Sequence, residues 1–161
     1  MTPLMLVDSL SAFVREKVAG FRLPTKKLLA APVVYSGYLP LDDEDDSICP
    51  YVIVRLTQVL DEDRQSTAKI VILIGTRATD DGFWRDCVNV AERIRQALLQ
   101  QRMVDKRFRL QLPLKIEFPE GEMPYPEAVC MLDTTWIIPQ PQARMEEEVY
   151  GDNVPGSERN G

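Results

Sequence analysis

The chain has 161 residues, 45% of them hydrophobic, with a formal net charge of −6, three cysteines and no histidine. That length suits one domain able to bury roughly two-thirds of the surface its unfolded form exposes, without disulfide or metal staples. The absence of imidazole argues against serine and cysteine triads, most zinc enzymes and most near-neutral acid–base catalysts.

Residues 4–19 read as a first helix. Leu6, Leu10, Phe13, Val14 and Val18 recur at helical spacing, Pro3 suits the first turn and Gly20 supplies a stop. Residues 21–31 read as a basic connection, and 33–39 as a short strand. A loop follows with five successive acids, Asp42, Asp43, Glu44, Asp45 and Asp46, between Pro40 and Pro50. Like charges this close repel one another and stay solvated.

The stretch 50–101 carries the densest pattern. Residues 51–60 form a strand with Val52, Val54 and Leu56 on one face and Ile53, Arg55 and Thr57 on the other. A polar connection over 61–66 predicts a hairpin. Ile70, Val71, Ile72, Leu73 and Ile74 run unbroken through 67–76, which marks a central strand. A helix is expected from Asp81 to Gln101, capped by Asp80 or Asp81. Its apolar stripe is Trp84, Cys87, Val88, Ala91, Ile94 and Leu98.

Beyond it, 106–112 alternates as a strand with one solvated face. Residues 114–118 either continue it past Pro113 or form a separate edge segment. Residues 121–126 form a turn, and 128–138 the last strand, rich in β-formers. The expected class is α+β: a mostly antiparallel sheet, the long amphipathic helix packed on one face, and an N-terminal helix. A single domain over 1–141 and a flexible C-terminal tail over 142–161 are expected.

No residue pattern announces chemistry. Cysteines 49, 87 and 130 form no CxxC and read as reduced thiols in or near the core. The acids at 42–46 lack the alternating positions, central glycine and terminal glutamate of a calcium loop. Gly75-Thr76 precedes a helix, but Asp80 and Asp81 already place negative charge at its start, and no phosphate-loop motif occurs. Arg102, Lys106, Arg107 and Arg109 cluster around one aromatic, Phe108, which alternation assigns to the core. Trp84 and Trp136 also fall on expected core faces. No catalytic residue, cofactor or metal ligand is expected. No apolar run approaches the roughly 20 residues of a membrane span. The N-terminus has no basic region and no small-residue cleavage site before its first acid, so no secretory signal is expected.

Charge is segregated along the chain: successive blocks ending at residues 41, 63, 118 and 161 carry +3, −7, +5 and −7. Such alternation disfavours a simple nucleic-acid binder and suits complementarity with a neighbouring copy.

The series PYVIVRL, IVILIGT, DDGFWRDCVNVAERIRQALL, FRLQLPLKIEFPE, MPYPEAV and TTWIIPQP resembles tail-terminator (tail-completion) proteins of long-tailed phages and prophages of Gram-positive bacteria. It spans about residues 39–141. The resemblance implies a small α+β virion protein that forms a ring, typically of six copies, and no enzyme activity. The ring would cap the head-proximal end of the tail tube, stop its growth and dock the neck or head, with DNA passing through its lumen unbound. Its partners would be the tail tube protein, the sheath protein where one exists, and neck or connector proteins. On this view Asp42, Asp43, Glu44, Asp45 and Asp46, or Asp61, Glu62 and Asp63, face the lumen or a partner. A head–tail connector is the nearest alternative, and a carboxylate-dependent metal enzyme a more distant one.

Overall fold

The structure, a computed structural model, describes residues 2–25, 28–40 and 48–144. The acids at 42–46 and the tail from 145 onward lie outside the described residues. In chain order the elements are α1 (Pro3–Val18), β1 (Leu23–Pro24), β2 (Leu29–Ala30), β3 (Val33–Ser36), β4 (Tyr51–Asp61) and β5 (Ser66–Arg77). They continue with α2 (Arg85–Gln100), β6 (Met103–Val104), β7 (Phe108–Glu117) and β8 (Glu127–Ile138).

Six strands make one sheet in the order β3-β4-β5-β8-β7-β6. Only β3 runs parallel to its neighbour; the other pairings are antiparallel. The architecture is α+β, with both helices on the same face. That face is set by alternation. Val52, Val54, Ile70, Ile72, Ile74, Leu132 and Trp136 point toward the helices and are buried. The unbroken apolar run of β5 does sit centrally, between β4 and β8.

α2 lays Cys87, Val90, Ala91, Ile94, Ala97 and Leu98 onto this face. Full burial of each aliphatic chain is worth about 1.5–3 kcal/mol, so this stripe fixes the helix far more firmly than its caps do. α1 buries Leu6, Val7, Leu10, Val14 and Val18 beside it. Two polar contacts key α1 to the β3 edge: Ser11 Oγ lies 2.7 Å from Ser36 Oγ, and Arg15 donates to the Val34 carbonyl at 3.2 Å. Arg93 of α2 donates to the Lys17 carbonyl at 3.1 Å, joining the two helices. Trp136 satisfies its indole N–H inside the core through Thr134 Oγ1 at 2.9 Å, and Thr134 donates in turn to the Ile70 carbonyl.

Several expected boundaries move, each for a local reason. The expected plain connection over 21–31 contains the β1–β2 ladder, closed by Thr25, whose hydroxyl and N–H both donate to the Leu28 carbonyl. β3 stops at Ser36 rather than 39, because Gly37 turns the chain at φ 90°. Gly37 then bonds back to β4, donating to the Val54 carbonyl at 2.8 Å and accepting from Arg55 at 2.9 Å. Residues 114–118 continue β7 as one strand, with the register broken between Gln111 and Lys115 around Pro113, which has no N–H to donate. Asp105 and Lys106 adopt positive φ and form the β6–β7 turn, so β7 starts at Phe108 rather than 106.

The largest correction concerns α2. It starts at Arg85, not Asp81, and Trp84 occupies the N-cap position without a side-chain cap. Residues 80–84 wind as successive turns, held by Phe83 N–H to the Asp80 carbonyl and Arg85 N–H to the Gly82 carbonyl. An extra helical turn would contain Gly82, at a cost of roughly 1 kcal/mol. The turns instead let the Phe83 ring meet Tyr125 edge-on, with centroids 4.9 Å apart. They also turn Trp84 outward. It is 40% exposed, with Arg85 over its ring, and is not the core residue its spacing predicts.

Gly75 marks a close approach on the face opposite the helices. A Cβ there would overlap the Tyr51 ring, which lies on the backbone of β5. Gly75→Ala should therefore destabilise the protein by about 1–3 kcal/mol in urea melts, by forcing the ring off the strand. The double variant with Tyr51→Ala should be no less stable than Tyr51→Ala alone. Simple additivity of the two losses would show that the overlap is not the cause.

Candidate functional site

The β4–β5 hairpin is the most prominent surface feature. β4 begins buried at Val52, Ile53 and Val54 and becomes exposed from Thr57 to Asp61. β3 pairs only with Tyr51 to Val54, so the outer edge of β4 beyond that point has no strand partner among the described residues. A register shift between Leu56 and Gln58 bends the strand there. The distal part of β4 exposes Val59 and Leu60, at 43% and 46%, while β5 beside it stays paired with β8 as far as Ser66.

The tip is tighter than the six-residue connection expected. Asp61 pairs with Ser66, leaving four residues between the strands. Ser66 Oγ donates to Asp61 Oδ1 at 2.5 Å, and Glu62 N–H donates to the Gln65 carbonyl at 2.7 Å. Gln140, just past β8, donates to the Glu62 carbonyl at 2.7 Å and lies 3.0 Å from Ser66 Oγ. An open groove of about 950 Å³ runs between the tip and residues 137–143. Asp61, Glu62 and Asp63 are thus gathered at one exposed point, with Arg64 among them. The second acidic run, Asp42 to Asp46, lies outside the described residues, so its relation to this tip is not described.

The face of the sheet away from the helices is the second candidate surface. Its middle is apolar: Ile53 is buried, while Val71, Leu73, Val129 and Met131 are half-buried. Around them stand Arg55, Lys115, Glu117 and Asp133, with Lys115 near both Glu117 (3.5 Å) and Asp133 (3.7 Å). Tyr38 folds back under the Arg55 guanidinium, 4.1 Å from ring centre to carbon.

Two clefts meet at Phe118, just beyond β7. One, of about 360 Å³, is lined by Leu73, Val129, Cys130, Met131 and residues 117–120. The other, of about 390 Å³, is lined by Trp84, Val88, Phe118 and Met123. Assigning Trp84 to the core conceals the second cleft in the sequence. The first is foreshadowed by the two-sided apolar run of β5, because a strand apolar on both faces in a sheet with helices on one side must leave one face open.

The ionisable groups held away from water are thiols, a phenol and one carboxyl. All three cysteines are buried and unpaired. Burial, reinforced by Glu127, pushes the Cys49 thiol up from 9.0 to about 12. Burial and then the Cys49 thiol push the Tyr51 phenol from 10.0 to about 12. The Cys87 thiol is driven upward by its hydrogen bond with Cys130 and then by burial. At the start of α2, burial and then Asp80 raise the Asp86 carboxyl. These shifts keep thiols protonated, the reverse of what a nucleophilic cysteine requires. The described residues contain no group of three or more potential metal-binding side chains. No described helix is long and apolar enough to cross a membrane.

Phe108 is buried, so the basic cluster around it presents no aromatic platform of its own. Arg107 is paired with Asp105, while Arg102, Lys106 and Arg109 are exposed. Comparison with protein-family models and with curated proteins gives no match.

The buried acids Cys49 and Tyr51 set a pH dependence. Both are neutral below their pKa values, and folding raises those values. The folded chain therefore keeps protons that the unfolded chain releases above pH 9.0 and 10.0. Stability is fully present below pH 9 and is lost as pH rises toward 12. Urea midpoints should accordingly fall between pH 9 and 11, and Cys49→Ala should flatten that fall. A Cys49→Ala profile parallel to the parent would exclude this cause.

Proposed function

We propose that the protein is a tail terminator of a long-tailed phage or prophage, a virion protein that assembles into a ring on the head-proximal end of the tail tube. The observation that carries the reading is the distal end of the β4–β5 hairpin, where β4 is exposed from Thr57 to Asp61, apolar at Val59 and Leu60 and acidic at the tip. An exposed strand edge of this kind suits contact with a neighbouring copy or with the tube. Three acids at its end suit a lumen, because like-charge repulsion keeps DNA from adhering as it passes. The open sheet face and the Phe118 clefts add shallow, partly apolar surfaces of the sort that protein partners cover.

Deletion of the gene tests the reading against its nearest rival. Loss of a terminator should give overlong or uncapped tails in electron micrographs. Normal-length tails beside unjoined heads would instead indicate a head–tail connector. The lumen assignment has its own test. Asp61→Lys, Glu62→Lys and Asp63→Lys together should leave particle numbers unchanged and lower the infectious titre. An unchanged titre would place the tip away from the DNA path.

A further inference from the structure

The cysteines at 87 and 130 have a relationship that core packing alone does not require. Cys87 stands in the first turn of α2, and Cys130 is in β8 beneath it. Their sulfurs are 3.0 Å apart, and each thiol also approaches a carbonyl across the same contact: Cys87 toward Ile74, and Cys130 toward Cys87, both at 3.7 Å. A disulfide bond is about 2.05 Å long, so closing it needs a relative movement of only about 1 Å. The third thiol, Cys49, lies beside Tyr51 and makes no sulfur–sulfur contact among the described residues.

The two thiols also differ in access. Cys87 is completely buried, whereas Cys130 keeps 5% of its surface exposed.

We propose that Cys87 and Cys130 are a built-in oxidative cross-linking site, made as thiols and closed by a peroxide-class oxidant. In the first step the Cys130 sulfur attacks one oxygen of hydrogen peroxide. The O–O bond breaks, a sulfenic acid forms, and one water leaves with the thiol proton. In the second step the Cys87 sulfur attacks the sulfenic sulfur. An S–S bond forms, the S–O bond breaks, and a second water leaves with the Cys87 proton. The two thiols are oxidised by two electrons, and one peroxide is reduced to two waters. The product ties the start of α2 to the sheet and closes a long loop of chain, the arrangement in which a cross-link most restricts the unfolded state. Burial of both thiols makes the first step slow, which suits a bond that closes gradually rather than a rapid sensor.

The test uses the full-length protein, purified under reducing conditions and then exposed to hydrogen peroxide. Intact mass should fall by the two hydrogens of one disulfide, peptide mapping should join Cys87 to Cys130, and Cys49 should remain free to alkylation after unfolding. The melting temperature should rise by roughly 5–10 °C and return on reduction. Cys49→Ser should leave all of this unchanged. In Cys87→Ser the sulfenic acid at Cys130 loses its resolving partner and should be captured by a dimedone-type trap. A bond involving Cys49, over-oxidation of Cys130 without cross-linking, or thiols that persist in the folded wild-type protein would each overturn the proposal. The wild-type map decides the matter even where a serine variant folds poorly. No result here bears on the tail-terminator reading.

Discussion

Ile70, Ile72 and Ile74 stand on one side of a strand flanked by β4 and β8, and the burial of that side is the constraint on which the rest of the structure depends. α2 reaches the sheet through Cys87, Val90, Ala91, Ile94 and Leu98, and α1 packs beside it. Because side chains alternate along a strand, committing these three isoleucines to the helices commits Val71 and Leu73 to the opposite face. A one-residue slip in β5 would exchange the two sets and leave α2 lying over Val71, Leu73 and Lys69. Lys69 is exposed where it stands, and its displacement into the core would cost far more than either hydrophobic set gains by exchange. The register is thus held by a charged residue as much as by the apolar ones.

The same constraint explains which parts of the fold were legible in the sequence. Elements with a clean period were found within a few residues: α1, β4, β5, β8 and most of α2. What escaped has a common cause. β1, β2 and β6 are two-residue ladders, too short to express any period, and they exist because neighbouring elements bring their backbones together. The start of α2 was misjudged because Asp80, Asp81 and Trp84 satisfy every local rule for a capped helix. The contact that overrules them, Phe83 against Tyr125, joins residues far apart in the chain. Tertiary packing of one aromatic pair outweighed a local capping preference worth about 1 kcal/mol.

Legibility of the candidate surfaces follows the same division. The acidic tip at Asp61, Glu62 and Asp63 was readable, because a polar run between two strands can only be a turn. Its geometry was not. The latch from Gln140 depends on where β8 ends relative to the hairpin, which no local pattern records. The Phe118 clefts were invisible for a related reason: Trp84, Met123, Leu73 and Met131 come from four separate segments. Individually Trp84 reads as a core residue, Leu73 and Met131 as parts of strands, and Met123 as part of a turn. Only the bare face of β5 and the unwound start of α2 turn them outward together.

The distribution of buried polarity adds a further constraint on what this surface can do. The groups removed from water are thiols, a phenol and one carboxyl, and every resolved shift favours the neutral form. A nucleophilic thiol at near-neutral pH needs the opposite, a loosened proton. The charges at the hairpin tip stand in open solvent, where their field is screened by salt. On the proposed function, the apolar clefts would meet a partner protein and the solvated charge would repel a polyanion. The helix-covered core supplies the stiffness that both depend on.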